Sequence, residues 1–302
     1  MRLVTFRADD GAARLGAVVR QGGQDGDRLI DLAAASGGAL PSEMVAFIEA
    51  GPAALARARE DAQSATGGVP LSSARLLAPI PRPRRNVFCL GLNYKAHAAE
   101  GAEHFGQAMS LPEYPIFFSK PPTAVIGPDA DIQVNPKVTQ QVDWEIEMTL
   151  VMGRGGRDIA KGDALSHVFG YTIANDVSAR DLQFRHGGQW FKGKSLDTFC
   201  PLGPWIVTAD EVADPANLDV ACRVNGVEKQ RSNTGLLIFD IPTIISSLSE
   251  GLTLEPGDLI LTGTPEGVGF ARKPPEFLKD GDVVECEVDR IGLLRNTVRT
   301  RG

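Results

Sequence analysis

Cysteine is scarce in this chain: there are 4 in 302 residues. Cys89, Cys200, Cys222 and Cys286 form no C-x-x-C, and their spacing matches no zinc or disulfide framework. Buried, reduced thiols in a cytoplasmic protein are the expectation. Histidine is equally sparse: His97, His104, His167 and His186 are too few and too scattered for a histidine-built metal site. Cations are in deficit, 31 Lys and Arg against 38 Asp and Glu, a formal charge of −7. That balance argues against a nucleic-acid partner and against a polybasic membrane surface. Long apolar runs are missing as well. Asp240 interrupts the best of them, LLIFDIPTII, so no membrane span is expected. Asp9 and Asp10 precede any apolar stretch of signal length, so no secretory signal is expected. There is no G-x-S-x-G elbow, no P-loop and no G-x-G-x-x-G fingerprint.

The remainder has ordinary globular composition, 43% hydrophobic and 23% charged. Residues 1–75 read as a small cap or scaffold unit. RLVTFR and RLGAVV flank a turn at Asp9-Asp10-Gly11, RLIDL is a third strand, and Ser42 to Ala65 is helical with a break at Gly51-Pro52. Closely spaced prolines over 78–85 predict a stiff, extended linker. From residue 79 to 302 short apolar runs alternate with turn signals, Asn225-Gly226 being the strongest hairpin signal. Helices are predicted only near 93–103, 161–168, 177–185 and 239–249. This predicts an α+β, β-rich class rather than a doubly wound sheet.

Several groups are suited to chemistry. In DWEIEMTL, strand residues two apart share a face, so Glu145 and Glu147 project together while Trp144, Ile146, Met148 and Leu150 take the other. Carboxylates that close repel unless they are solvated, protonated or bridged by a cation. Oxygen ligands of this kind suit Mg²⁺, Mn²⁺ or Ca²⁺ better than zinc. Taken alone, such a pair reads more simply as a wet strand face. Asp176 closes the run GYTIAND, either as a third carboxylate at a strand end or as a helix N-cap. His97 and Glu100 are neighbours if their segment is helical; a carboxylate beside an imidazole makes a general base for water. An exposed charge pair is the plainer reading, and His104 is an alternative partner. Lys194 is either an oxyanion-holding lysine or a solvated loop residue. Arg180 and Gln183, three apart, could grip a substrate carboxylate. LTGTPEGVG offers amides to an anion, or is a hairpin turn.

Singly these signals are weak. Their order and wording are specific. GLNY-x-x-H-x-x-E, PIFFSKPPTAVIG, DWEIEMTLVMGR, GYTIANDVSARDLQ, KGKSLDTFCPLGP and LTGTPEGVG, in that sequence, resemble the fumarylacetoacetate hydrolase family, from about Pro79 to Val298. The N-terminal unit is similar to that of short bacterial members, acylpyruvases and 2-hydroxyhepta-2,4-diene-1,7-dioate isomerases among them. The resemblance implies a mixed β-roll with the site at its open end, and a homodimer. It implies one Mg²⁺ or Mn²⁺ on Glu145, Glu147 and Asp176, a water-activating His97–Glu100 pair, and Lys194 at the reacting oxygen. Thr264 would lie in a loop closing the site, Arg180 and Gln183 near the substrate, and the segment from His97 to Pro115 would be lid material. The first expectation is therefore hydrolysis of a carbon–carbon bond in a 2,4-dioxo acid, with a dicarboxylate or 2-oxo acid substrate and a metal-stabilised enolate. Isomerisation or decarboxylation of hydroxymuconate- or oxaloacetate-type diacids on the same site is the alternative, and a non-catalytic ligand-binding member of the fold is the second.

Overall fold

A computed structural model describes residues 1–20, 26–106 and 108–301. Arg2–Arg7 and Ala13–Arg20 form the expected hairpin, and Asp27–Asp31 adds the third strand. Helix Met44–Glu49 is followed at once by Gly51–Ser64. Gly51, at φ +76°, turns the chain between them, and Pro52 sits in the first turn of the second helix, where its missing N–H costs nothing.

The N-terminal strands continue a large mixed sheet: Arg2 and Leu3 lie beside Val207 and Ile206 of the strand Cys200–Thr208. Beyond that strand follow Val168–Asn175, Ile146–Met152, Leu259–Leu261, Val87–Gly91 and Ile116–Lys120. A five-stranded sheet packs against it, and includes the Asn225-Gly226 hairpin between Asp219–Val224 and Val227–Asn233. The class is α+β and strand-rich, as expected. Trp144, Ile146, Met148 and Leu150 sit in one buried core with Ile173, Ile244 and Ile245. The four cysteines are free and buried, as expected. Among the described residues no helix is long and apolar enough to cross a membrane.

Three helical expectations shift. The 93–103 segment forms a helix at Lys95–His104, and 161–168 is a 3₁₀ stretch, Lys161–His167. The 177–185 segment is helical only over Arg180–Arg185, because Ser178 and Ala179 are drawn into antiparallel pairing with Asp143 and Val142. Helix Ile241–Ser249 starts where Asp240 caps it, its carboxylate accepting from the Thr243 amide at 2.9 Å.

Register places the candidate residues together. Ile146–Met152 and Val168–Asn175 run antiparallel with Ile146 opposite Asn175, so the start of one strand meets the end of the other. Leu259–Leu261 and Val87–Gly91 are parallel, so the loops after both emerge at this same edge. Strand ends and the loops after them are where a sheet can present polar groups without breaking its ladder.

Candidate active site

Glu145, Glu147 and Asp176 converge at that edge. The Asp176 amide donates to the Glu145 carbonyl at 2.8 Å, and the Glu145 amide donates to Asn175 Oδ1 at 2.9 Å. One ligand atom from each carboxylate lies within 4.8 Å of the others. All three are buried, so the wet-face reading of Glu145 and Glu147 does not hold. Nor is Asp176 a helix cap. Its Oδ1 accepts from Lys120 at 2.5 Å and its Oδ2 from Lys194 at 2.9 Å, while the following helix begins at Arg180.

Around this triad lies a dense charge network. Lys194, on the short helix Phe191–Lys194, is buried and also donates to Glu145 Oε2 at 2.7 Å. The solvated-loop reading of Lys194 therefore fails. Arg180 donates to Asp143 Oδ2, Glu145 Oε1 and Gln183 Oε1 at 2.8, 2.6 and 2.9 Å. Four buried carboxylates, Asp143 included, face the three buried cations Lys120, Arg180 and Lys194. The excess charge is negative.

The electrostatics follow. Burial pushes the Glu145 carboxyl up, but Lys194 and Arg180 outweigh it and hold it at about 2. Burial, then Asp176 and Glu145, drive Glu147 well above the usual carboxylate range, and Lys194 and the Gly263 amide only partly offset this. Burial opposes the charge of Lys194, but Asp176 and Glu145 raise its pKa nonetheless.

The loop after Leu261 ties the site together. Gly263 N–H donates to Glu147 Oε2 at 2.5 Å, Gly267 N–H to Glu100 Oε2 at 2.9 Å, and Gly269 N–H to Asp143 Oδ1 at 2.7 Å. A run of this loop thus presents three amides to three carboxylates, as backbone nests do for anions. Gly263 has φ +100°, and a Cβ there would meet Asn93 Cβ at 2.7 Å, so the close approach requires glycine. Thr264 Oγ1 accepts from Gln230 Nε2 at 2.8 Å, and Gln230 Oε1 accepts from the Ile146 amide at 3.1 Å. That chain fixes the loop to the strand carrying Glu147.

His97 Nδ1 and Glu100 Oε1 lie 2.8 Å apart on the helix Lys95–His104. With the carboxylate accepting from Nδ1–H, Nε2 is the ring nitrogen left for substrate. His104 is not the partner; it stacks edge-on against Phe105 and Phe270. His97, Glu145, Arg180, Gln183, Lys194 and Thr264 all line one cavity of about 530 Å³. Phe105, Ala108 and Ser110, from the segment expected to be lid material, line it too.

Sequence reasoning missed Lys120, Asp143, Asn93 and Gln230. Asn93 bridges the Thr262 and Phe239 backbones, its Nδ2 donating to their carbonyls at 2.7 and 3.2 Å. Lys120 carried a usable signal: a cation closing the apolar strand IFFSK.

The donor set fits a divalent cation. It is all oxygen, and Glu147 Oε1 is buried with no hydrogen-bond partner. A buried carboxylate oxygen so placed is costly unless a proton or cation takes it.

Residues 86–299 match the family model "Fumarylacetoacetate (FAA) hydrolase C-terminal". The chain belongs to the fumarylacetoacetate hydrolase family. Members typically bind a divalent metal, in keeping with the buried triad. Among curated relatives, "Oxaloacetate tautomerase fahd2, mitochondrial" of Xenopus laevis is 45% identical over 300 residues, 99% of this chain and 90% of the relative. The solved fumarylacetoacetate hydrolase of Exiguobacterium antarcticum has a TM-score of 0.79 and 39% identity, covering 100% of both chains. The solved 2-hydroxyhepta-2,4-diene-1,7-dioate isomerase of Mycobacterium marinum has a TM-score of 0.75 and 35% identity, covering 100% of this chain and 99% of its own. The family is thus one of enzymes, with tautomerase, isomerase and hydrolase among its names.

Proposed function

We propose that this chain is a divalent-metal-dependent keto–enol tautomerase of 2-oxo acids of the oxaloacetate type. The observation that carries the reading is that His97, paired with Glu100, lines the same cavity as Glu145, one of the three converging carboxylates. The 45% identity over nearly the whole chain with an oxaloacetate tautomerase favours this alternative over the carbon–carbon hydrolase first expected.

Ketonisation is redox-neutral. The enol O–H bond breaks, a C3–H bond forms, and the C2=C3 double bond becomes C2=O. It needs a group that accepts a proton at oxygen and one that delivers a proton to carbon on a fixed face. Glu145, Glu147 and Asp176 would hold the cation, which when bound supplies positive charge that lowers the cost of negative charge on the 2-oxo acid's oxygens. His97 Nε2 is the candidate acid–base atom, and such a group typically contributes about 10²–10⁴-fold. Glu100 fixes the ring and its tautomer, and the Gly267 amide fixes Glu100 in turn. Lys194 and Arg180 hold Glu145 ionised, and the Gly263 amide orients Glu147. Arg180 donates to Asp143, Glu145 and Gln183, and through these bonds positions the carboxylate of Glu145. A homodimer belongs to the same proposal and is read by light scattering.

The test is ketonisation of enol-oxaloacetate in D₂O by metal-loaded protein, with immediate reduction of the product to trap C3. Stereospecific deuterium at C3, lost in His97→Ala, is the expected result. Release of CO₂ and pyruvate at the rate of enol loss would replace the reading with a decarboxylase. Stoichiometric acid and pyruvate from acetylpyruvate, with no tautomerase activity, would restore the hydrolase.

A further inference from the structure

The cavity has a polar floor and an aromatic wall, and tautomerisation uses only the floor. On one side Phe105 and Phe184 meet edge to face with centroids 5.0 Å apart, and Phe270 joins Phe184 at 5.7 Å. On the other side Phe118 and Trp190 meet at 5.6 Å. All five rings line the cavity. Phe105 and Phe184 are nonetheless 47% and 42% exposed, a large apolar area left open among the described residues.

A second carboxylate on the substrate would need a cation in that half of the cavity. Among the described lining residues the Lys and Arg side chains are Lys194 and Arg180. Both are committed on one side to buried carboxylates. Both are covered on the other by rings. The Arg180 guanidinium lies 4.4 Å from the Phe270 centroid, and Lys194 Nζ lies 5.1 Å from that of Phe118. A carboxylate placed against the wall would meet ring carbons in place of a charged partner. An aryl group there would bury apolar surface and complete the edge-to-face arrangement.

We propose that the 2-oxo acid this site prefers carries an apolar, aryl-sized substituent on C3 in place of oxaloacetate's second carboxylate. The proposal rests on the reading of the floor as a 2-oxo acid site. It assigns specificity to Phe184 and Phe105, with the reaction unchanged: a proton leaves the enol oxygen and one is added at C3.

The experiment compares phenylpyruvate and oxaloacetate on the metal-loaded full chain, by calorimetric Kd and by the rate of enol loss for each. Wild type is expected to bind phenylpyruvate at least about tenfold more tightly, the scale by which an apolar pocket discriminates. Phe184→Arg places a cation in the wall at an exposed position the fold tolerates, which an unchanged melting temperature confirms. It is expected to weaken phenylpyruvate and tighten oxaloacetate, reversing the order. Equal or tighter binding of oxaloacetate by wild type, or an order unaffected by Phe184→Arg, overturns the proposal and leaves the tautomerase reading intact. Tight phenylpyruvate binding without turnover of either acid upholds the preference and overturns the tautomerase reading instead.

Discussion

The N-terminal region and the site end of the sheet both pair acids with bases, but in opposite surroundings. Arg57–Asp61 and Arg84–Glu49 lie on the surface, their arginines about half exposed. Lys120–Asp176, Arg180–Glu145 and Lys194–Glu145 are at most 5% exposed. Surface pairs contribute about 0–1 kcal/mol because water screens them. Buried pairs cost desolvation, and removing one partner strands the other. The difference separates decoration from machinery. Four buried carboxylates against three buried cations leave one negative charge for a proton or a cation to take.

The sharpest way to break that comparison is Glu147→Gln. Glu147's pKa is raised in the folded state, chiefly by burial, so the stability it contributes is present below the ordinary carboxylate range and lost as pH rises through the raised value. Near pH 7 the substitution removes a penalty. The metal-free variant should melt higher than metal-free wild type in a thermal scan, yet show no metal binding by calorimetry and no metal-restored turnover. A lower melting temperature with metal binding intact would mean that Glu147 is structural.

Next in size is His97→Ala. Turnover should fall about 10²–10⁴-fold while metal affinity stays within experimental error, since His97 touches Glu100 and not the triad's ligand atoms. Lys120→Met should follow, costing about 3 kcal/mol in urea unfolding, the low end for a broken buried pair because Lys194 still holds the other oxygen of Asp176. Arg84→Ala on the surface should stay within about 1 kcal/mol. If the two substitutions cost the same, the contrast between the regions has no energetic content.

The smallest effect is in acid. Glu145 is held at about 2, so its stabilisation is full above the ordinary carboxylate range and is lost as pH falls through about 2. Metal-free Glu145→Gln should therefore show a flatter melting temperature than wild type between about pH 4.5 and pH 2.

Local signals were legible where one element carries the whole arrangement. Glu145, just before the strand Ile146–Met152, converges with Glu147 inside it, His97 and Glu100 share a helix turn, and Asn225-Gly226 turns a hairpin, all within a few residues. Fold class followed from the alternation of short runs and turns. What stayed hidden depends on partners far apart in sequence. Lys120 meets Asp176 across 56 positions, and the Asp143 carboxylate anchors Gly269 across 126. Helix 177–185 lost its first turn to pairing with Val142–Asp143, a tertiary override that propensity does not see. The motif around Lys194 places it at the site, but its two carboxylate partners were not legible; the short helix Phe191–Lys194 turns it onto them.

The central claim is that the buried triad and the His97–Glu100 pair form one proton-transfer site. The most direct measurement is stopped-flow decay of enol-oxaloacetate absorbance with chelator-stripped protein, then with Mg²⁺ or Mn²⁺ restored, in wild type, Glu147→Gln and His97→Ala. The account predicts metal-restored acceleration in wild type alone, with His97→Ala still binding metal. Undiminished acceleration by stripped protein, or by either variant, would contradict it.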